Sequence, residues 1–180
     1  MLTLFLLFVS PFLYHLEPIQ PIQQPFLEKS SITYHMRHKL HEWDGVSDKL
    51  KIQANWENAS PVNKIIKIAI STKVSSFNSG LSNRDSHMIE VLDALTYPNI
   101  IFNSTSIIYN QNDLLVNGQL QFHGVTKQIS FNAKQSDKEG NIFFEGAFPI
   151  LLEDFKVKRP SLLFVKADNE IQIKFKLYFK

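Results

Sequence analysis

From residue 30 onward apolar and polar positions alternate with a period of two rather than 3.6, the signature of half-buried strands. Ile32, Tyr34, Met36, His38 and Leu40 share one parity of a first strand. Leu50, Ile52, Ala54 and Trp56 share one parity of a second. Asp44–Gly45 lies between them, and that dipeptide favours a tight hairpin turn. Asn58–Asn63, with Pro61, predicts a further turn, and Ile66, Ile68 and Ile70 carry a third strand. There the alternation breaks. Met88, Val91, Leu92 and Leu95 recur at helical spacing behind Ser82 and Asp85, which are spaced as in a capping box, and Tyr97–Pro98 stops the run. A helix over Asn83–Leu95 follows.

Strands then resume. Ile100, Phe102 and Ser104 form one face of a fourth; Leu114, Val116, Gly118, Leu120 and Phe122 one face of a fifth. Alternation runs through both sides of Asn117–Gly118, so that glycine marks a bulge or a close backbone approach rather than a turn. His123–Gly124 is the turn. Thr126–Lys134 gives a sixth strand with Lys127, Ile129, Phe131 and Ala133 on one face. Asp137–Asn141 turns the chain into a seventh strand over Asn141–Ile150, whose parity is ambiguous because Phe143 and Phe144 are adjacent. Leu151–Ala167 is irregular, with a short edge strand at Leu162–Val165, and Glu170–Phe179 is the eighth strand. Eight short strands and one helix in roughly 150 residues predict an all-β domain, a closed antiparallel barrel or a sandwich. At eight strands a barrel interior is either filled by side chains or just wide enough for one small ligand, and periodicity does not choose between them.

Composition narrows the function. The chain has 180 residues, 44% of them hydrophobic, with 15 Phe against 5 Tyr and 2 Trp. Phe carries no polar handle, so there is much surface to hide. A net charge of +2, with only Arg37, Arg84 and Arg159 as arginines, does not describe a nucleic-acid groove. No cysteine is present, which removes disulfides, thiolate catalysis and thiolate-held metals.

Leu2–Tyr14 holds thirteen residues without a charge, the length of a signal-peptide core and short of a membrane span. No Lys or Arg precedes it and no small-x-small cleavage site stands before Glu17. Residues 1–20 nonetheless read better as a signal-peptide-like segment than as an uncleaved anchor or a buried helix. Pro21 and Pro25 then mark residues 21–29 as an extended linker, with the folded domain over 30–180 and an exported, periplasmic or secreted, destination.

Motifs that carry chemistry are scarce. On a single straight strand His35 and His41 share a face about 20 Å apart while His38 faces away, which is no metal site. There is no nucleophile elbow and no phosphate-cradling glycine loop, and Glu153–Asp154 and Asp168/Glu170 read as solvated carboxylates. Arg84–Asp85, at the start of the helix, reads as a structural pair with Asp85 at the positive helix end. No enzyme, cofactor or metal is expected.

Ser79–Phe102 (SGLSNRDSHMIEVLDALTYPNIIF) resembles the R-D-x-H and Y-P-x-I-x-F block of YceI-like proteins, and Val116–Phe131 (VNGQLQFHGVTKQISF) resembles their V-x-G-x-L-x-x-x-G-V-T-K segment. The opening ITYHMRHKLHEWDGVS is similar to their first strand and turn, with His38 at the strand end. The likeness covers about Ser30–Phe179. It implies an eight-stranded antiparallel lipocalin-like barrel with the helix packed at one opening, bacterial export, and a polyisoprenoid or similar long-chain lipid held non-covalently along the barrel axis. One departure stands out. LLEDFKVKRPSLL replaces the family's late Arg-x-x-Phe-Gly element, which puts Lys156, Lys158 and Arg159 at the barrel mouth.

On that reading the lumen is lined by Tyr34, Met36 and His38; by Leu50, Ile52 and Ala54; by Ile66, Ile68 and Ile70; and by Ile100, Phe102, Leu120 and Phe122. Met88 and Leu92 close one end, and Tyr34 and His38 fix the ligand's polar end. The competing expectation is a packed, ligand-free barrel acting as a secreted interaction module. A homodimer is left open by either.

Overall fold

The computed structural model describes residues 25–57, 63–162 and 164–180; the signal-like run and most of the 58–63 turn lie outside them. Nine strands form one antiparallel sheet: β1 (Ser31–His38), β2 (His41–Ser47), β3 (Leu50–Glu57), β4 (Lys64–Lys73), β5 (Asn99–Asn110), β6 (Asp113–Phe122), β7 (Val125–Lys138), β8 (Asn141–Leu151) and β11 (Glu170–Phe179). Among the described residues a two-stranded hairpin, β9 (Ser161–Leu162) and β10 (Val165–Lys166), one α-helix, α1 (Ser82–Val91), and three short 3-10 turns accompany the sheet. Neighbours in the sheet run β2-β1-β11-β8-β7-β6-β5-β4-β3. The two edges, β2 and β3, are therefore consecutive in the chain, with only Asp48 and Lys49 between them.

All pairings are antiparallel, so in a nine-strand order β2 and β3 run the same way. They are two halves of one bent strand, the first paired with β1 and the second with β4. Counted that way the barrel-like curl has the expected eight strands, and its edges meet at the bend. A buried hydroxyl cluster fastens the meeting point: Ser47 Oγ lies 3.0 Å from Thr72 Oγ1 and 2.7 Å from Ser76 Oγ, and Thr72 Oγ1 donates to the Lys49 carbonyl at 3.1 Å.

Asp44–Gly45 is not the turn. The chain reverses at Lys39–Leu40, and Asp44 and Gly45 sit inside β2 opposite His35 and Tyr34. Gly45 is required there by contact: a Cβ would collide with the Tyr34 ring. Gly118 and Gly146 lie under Phe102 and Phe175 in the same manner, and rings folded over strand glycines let a sheet curl tightly. Asn117–Gly118 is accordingly mid-strand, whereas His123–Gly124 turns with both residues at positive φ, 49° and 71°.

Two splits in the ladder shape the interior. β4 and β5 pair only from Ala69–Asn103 to Lys73–Asn99, so Ile65 and Ile68 lose backbone partners on that side. Side chains replace them: Ile65 N–H donates to Tyr109 Oη at 2.9 Å and Ile68 N–H to Ser104 Oγ at 2.8 Å. β7 and β8 separate beyond Ala133–Gly146, and the short 3-10 turn Leu152–Phe155 fills the wedge with buried Leu152 and Phe155. Pro149, which has no N–H to give, falls in the separated part of β8.

The helix is shorter than expected, and its cap is different. Asp85 does not answer Ser82; its carboxylate accepts from Ser79 N–H at 3.0 Å and Ser79 Oγ at 2.6 Å. No residue of α1 is fully buried, because the helix lies across an opening rather than in a core. Phe26 N–H donates to the Tyr178 carbonyl at 2.7 Å, and Ser30 Oγ accepts from Tyr178 N–H at 3.1 Å, so the chain entering β1 is held against β11. No helix among the described residues is long and apolar enough to cross a membrane.

Candidate functional site: an apolar cavity under the helix

A cavity of about 540 Å³ runs through the curled sheet. Its deep end is walled by Ile65, Leu114, Leu177 and Phe144, its middle by Ile68, Phe131 and Phe175, and its outer end by Leu120, Phe122 and Ile150. These are inner-parity positions of β4, β6, β7, β8 and β11. The β8 ambiguity is resolved in favour of Phe144, since Phe143 turns outward onto Tyr178, ring centroids 4.7 Å apart.

Of the residues expected to line a lumen, Tyr34, Met36, His38, Ile68 and Ile70 border the cavity. So do Met88, Leu92, Ile100, Phe102, Leu120 and Phe122. Four do not. Ile66 is 52% exposed because it is the extra residue of a β-bulge: Trp56 pairs with Ile65 and Asn55 with Lys67, so two successive residues point outward and the parity resets at Ile68. Leu50, Ile52 and Ala54 face inward and pack in the same cluster as the wall residues Ile65, Ile68 and Leu114, but do not themselves border the cavity.

The mouth lies where exposed and half-buried residues border the cavity: His41 and Trp43 of β2, Arg84, His87 and Met88 of α1, and Pro160 and Ser161 before the β9–β10 turn. Along one lip polar-edged rings form a ladder. His38 and His41 are 5.6 Å apart, His41 stacks on Trp43 at 5.0 Å, and the Arg84 guanidinium covers the Trp43 ring at 5.0 Å. The histidine geometry on one straight strand is thus overturned: the Lys39–Leu40 turn makes His38 and His41 cross-strand partners on the cavity side. His35 faces the other way, its two ring nitrogens 2.8 Å from Asp44 and 3.1 Å from Glu42. Among the described residues no group of three His, Asp or Glu side chains is disposed to hold a metal ion.

His38 is a latch rather than a free polar group. Its Nδ1 accepts from Leu40 N–H at 3.3 Å, which leaves Nε2 to donate to the Val165 carbonyl at 2.9 Å. Both nitrogens are consumed in tying the β1–β2 turn to the β9–β10 hairpin. Tyr34 remains available to a ligand. Burial raises its pKa above the usual 10.0, and the Trp43 side chain, which can only donate, hydrogen-bonds to its hydroxyl and pulls the other way. Arg84 and Asp85 lie close enough to influence it electrostatically.

The YceI-like domain family matches residues 24–179. The chain belongs to the YceI-like family. A UPF0312 protein of Pseudomonas putida strain F1 is 30% identical over 128 residues, 66% of each chain, and protein YceI of Escherichia coli O17:K52:H18 is 29% identical over 100 residues, 51% of this chain and 52% of that one. The match therefore spans just under two thirds of the Pseudomonas relative's length and about half of the Escherichia one's. The fold of Burkholderia cenocepacia BcnA superposes with a TM-score of 0.76 at 23% identity, covering 86% of this chain and 99% of BcnA. A Saccharophagus degradans structure described as a polyisoprenoid binding domain implicated in plant cell wall breakdown gives 0.68 at 15% identity, covering 88% and 97%. Within this YceI-like chain, the expected lumen left out Ile65, Leu114, Phe131, Phe144, Ile150, Phe175 and Leu177 of the walls, and also Trp43, Val157 and Ala167, all of which border the cavity. Trp43 was hidden by the misplaced turn. Val157 and Ala167 lie in irregular chain, where no period announces an inward position.

Proposed function

We propose that this YceI-like protein is an exported, non-covalent carrier that holds a polyisoprenoid or similar long apolar chain in its cavity. The observation that carries the reading is a hollow of about 540 Å³ whose walls are mostly Ile, Leu, Val, Met and Phe, with the polar side chains gathered mainly at the mouth. Water gains few hydrogen bonds in such a space, whereas a hydrocarbon gains about 0.8 kcal/mol per buried CH₂. A dozen buried carbons then contribute about 10 kcal/mol, against an association cost of roughly 4–15 kcal/mol.

The tail lies along the axis toward Ile65 and Leu177. The head sits at the lip, where the Tyr34 hydroxyl can donate and the Trp43–Arg84 pair can hold a polar group. The binding step needs no bond-making chemistry and no cofactor. Likeness to a structure described as a polyisoprenoid binding domain supports this ligand class, and the charge-free Leu2–Tyr14 run supports export to the periplasm or beyond. A packed interaction module would require a filled interior. The experiment is lipid extraction and mass spectrometry of the purified protein, followed by uptake by the delipidated form. An extracted prenyl or acyl lipid and its re-uptake are expected. A delipidated sample that takes up neither chain type would end the carrier reading.

A further inference from the structure

We propose that the mouth rim docks on an anionic phospholipid bilayer through the β9–β10 hairpin tip and the adjoining β1–β2 turn. The inference rests on the carrier reading and adds where cargo is exchanged. The two tips are neighbours because the His38 ring bonds to Leu40 N–H with one nitrogen and to the Val165 carbonyl with the other. Asp168 N–H also donates to the Arg37 carbonyl at 2.9 Å, fixing the two segments side by side.

Both tips present apolar side chains to solvent. Leu40 is 63% exposed, and Phe164 is fully exposed on a left-handed backbone, φ 67°. A bulky aromatic in that conformation, with no packing in return, is costly unless something outside the chain receives it. Leu81 and Leu95, flanking α1 across the mouth, are 55% and 94% exposed.

Charge around these tips selects the partner. Lys156–Lys166 (KVKRPSLLFVK) holds four basic residues and no acidic one. Arg37 pairs with Asp168, Lys127 with Asp154 and Arg159 with Glu153. Lys39, Lys156, Lys158 and Lys166 are exposed and have no ion-pair partner among the described residues. Protruding apolar tips flanked by unpaired lysines, with the neighbouring carboxylates Glu42 and Asp168 paired to His35 and Arg37, match the boundary between anionic headgroups and acyl chains. The same rim surrounds the cavity mouth, so docking would let an apolar tail pass from bilayer to barrel without crossing water.

The test is co-sedimentation of the full chain with phosphatidylcholine vesicles, with and without phosphatidylglycerol, over a salt series. Binding to the anionic vesicles that falls with salt is expected. Leu40→Ser/Phe164→Ser should weaken it at least tenfold, and Lys158→Gln/Lys166→Gln roughly thirtyfold. Circular dichroism checks that each variant is folded. Uptake of a fluorescent long-chain fatty acid from detergent micelles, which bypasses the bilayer, should be unchanged in both variants. Wild-type protein that takes up the fatty acid yet ignores both vesicle types would overturn docking and leave the carrier reading standing. Equal binding to neutral and anionic vesicles would overturn the charge argument. Self-association abolished by Phe164→Ser, with no vesicle binding, would assign the face to a second copy and overturn the proposal.

Discussion

Ile68→Trp separates a hollow barrel from a solid one. Ile68 is buried, its N–H is held by Ser104 Oγ at 2.8 Å, and its side chain borders the middle of the cavity. In a filled core the larger ring would force neighbours off their rotamers and cost roughly 1–3 kcal/mol. Here the indole extends into a space of about 540 Å³, so the expected change in unfolding free energy is below about 1 kcal/mol. Binding should respond in the opposite proportion. If the indole displaces one five-carbon unit of the bound chain, the loss at ~0.8 kcal/mol per carbon is about 4 kcal/mol, close to a thousandfold in Kd. Urea denaturation gives the first quantity, and titration of delipidated protein with a fluorescent prenyl or acyl chain gives the second. A variant destabilised by several kcal/mol would mean a filled interior, and one that takes up the chain as well as the parent would mean that the chain does not occupy this cavity.

Other parts of the fold make independent predictions. Tyr109→Phe removes the hydroxyl that serves both the N–H and the C=O of Ile65, and should cost about 1–3 kcal/mol in urea denaturation. Burial raises the Tyr109 pKa from 10.0 to about 12, so the folded state favours the neutral phenol; that contribution is complete below pH 10 and is lost as pH rises through about 12. Tyr109→Phe should therefore flatten part of the alkaline decline in stability. Gly45→Ala places a methyl against the Tyr34 ring and should destabilise by about 1–3 kcal/mol while changing Trp43 fluorescence, since Trp43 bonds Tyr34. His38→Ala should speed proteolytic cleavage between Lys156 and Lys166, because the latch to Val165 is gone, yet disturb chain uptake far less than Ile68→Trp does.

Period-two alternation made most strands legible, since one face of each is buried and one is wet. It failed where geometry breaks the period. The bulge at Ile66 shifts parity by one residue, and nothing in KIIKIAIST tells two outward residues from an outward–inward pair. Asp44–Gly45 misled because glycine's small size serves two ends, a turn or a close contact, and the Tyr34 ring that decides between them lies on another strand. Once Lys39–Leu40 replaced it as the turn, His41 and Trp43 moved onto the cavity lip. Whether the interior was hollow depended on long-range curvature, including the β4–β5 and β7–β8 splits, which no local pattern encodes. The likeness in Ser79–Phe102 and Val116–Phe131 filled that gap for the fold. The exposed Phe164 tip stayed unread because Leu162–Val165 reads as one short edge strand, whereas Phe164 lies in the turn between β9 and β10.

A carrier of this kind needs one hollow that takes one greasy chain. Native mass spectrometry of the protein purified without detergent measures this directly. It should show a subunit carrying a single non-covalent adduct that leaves on collisional activation and is identified as a prenyl or acyl lipid. A subunit at its bare polypeptide mass, unchanged after incubation with prenyl and acyl lipids, would contradict it.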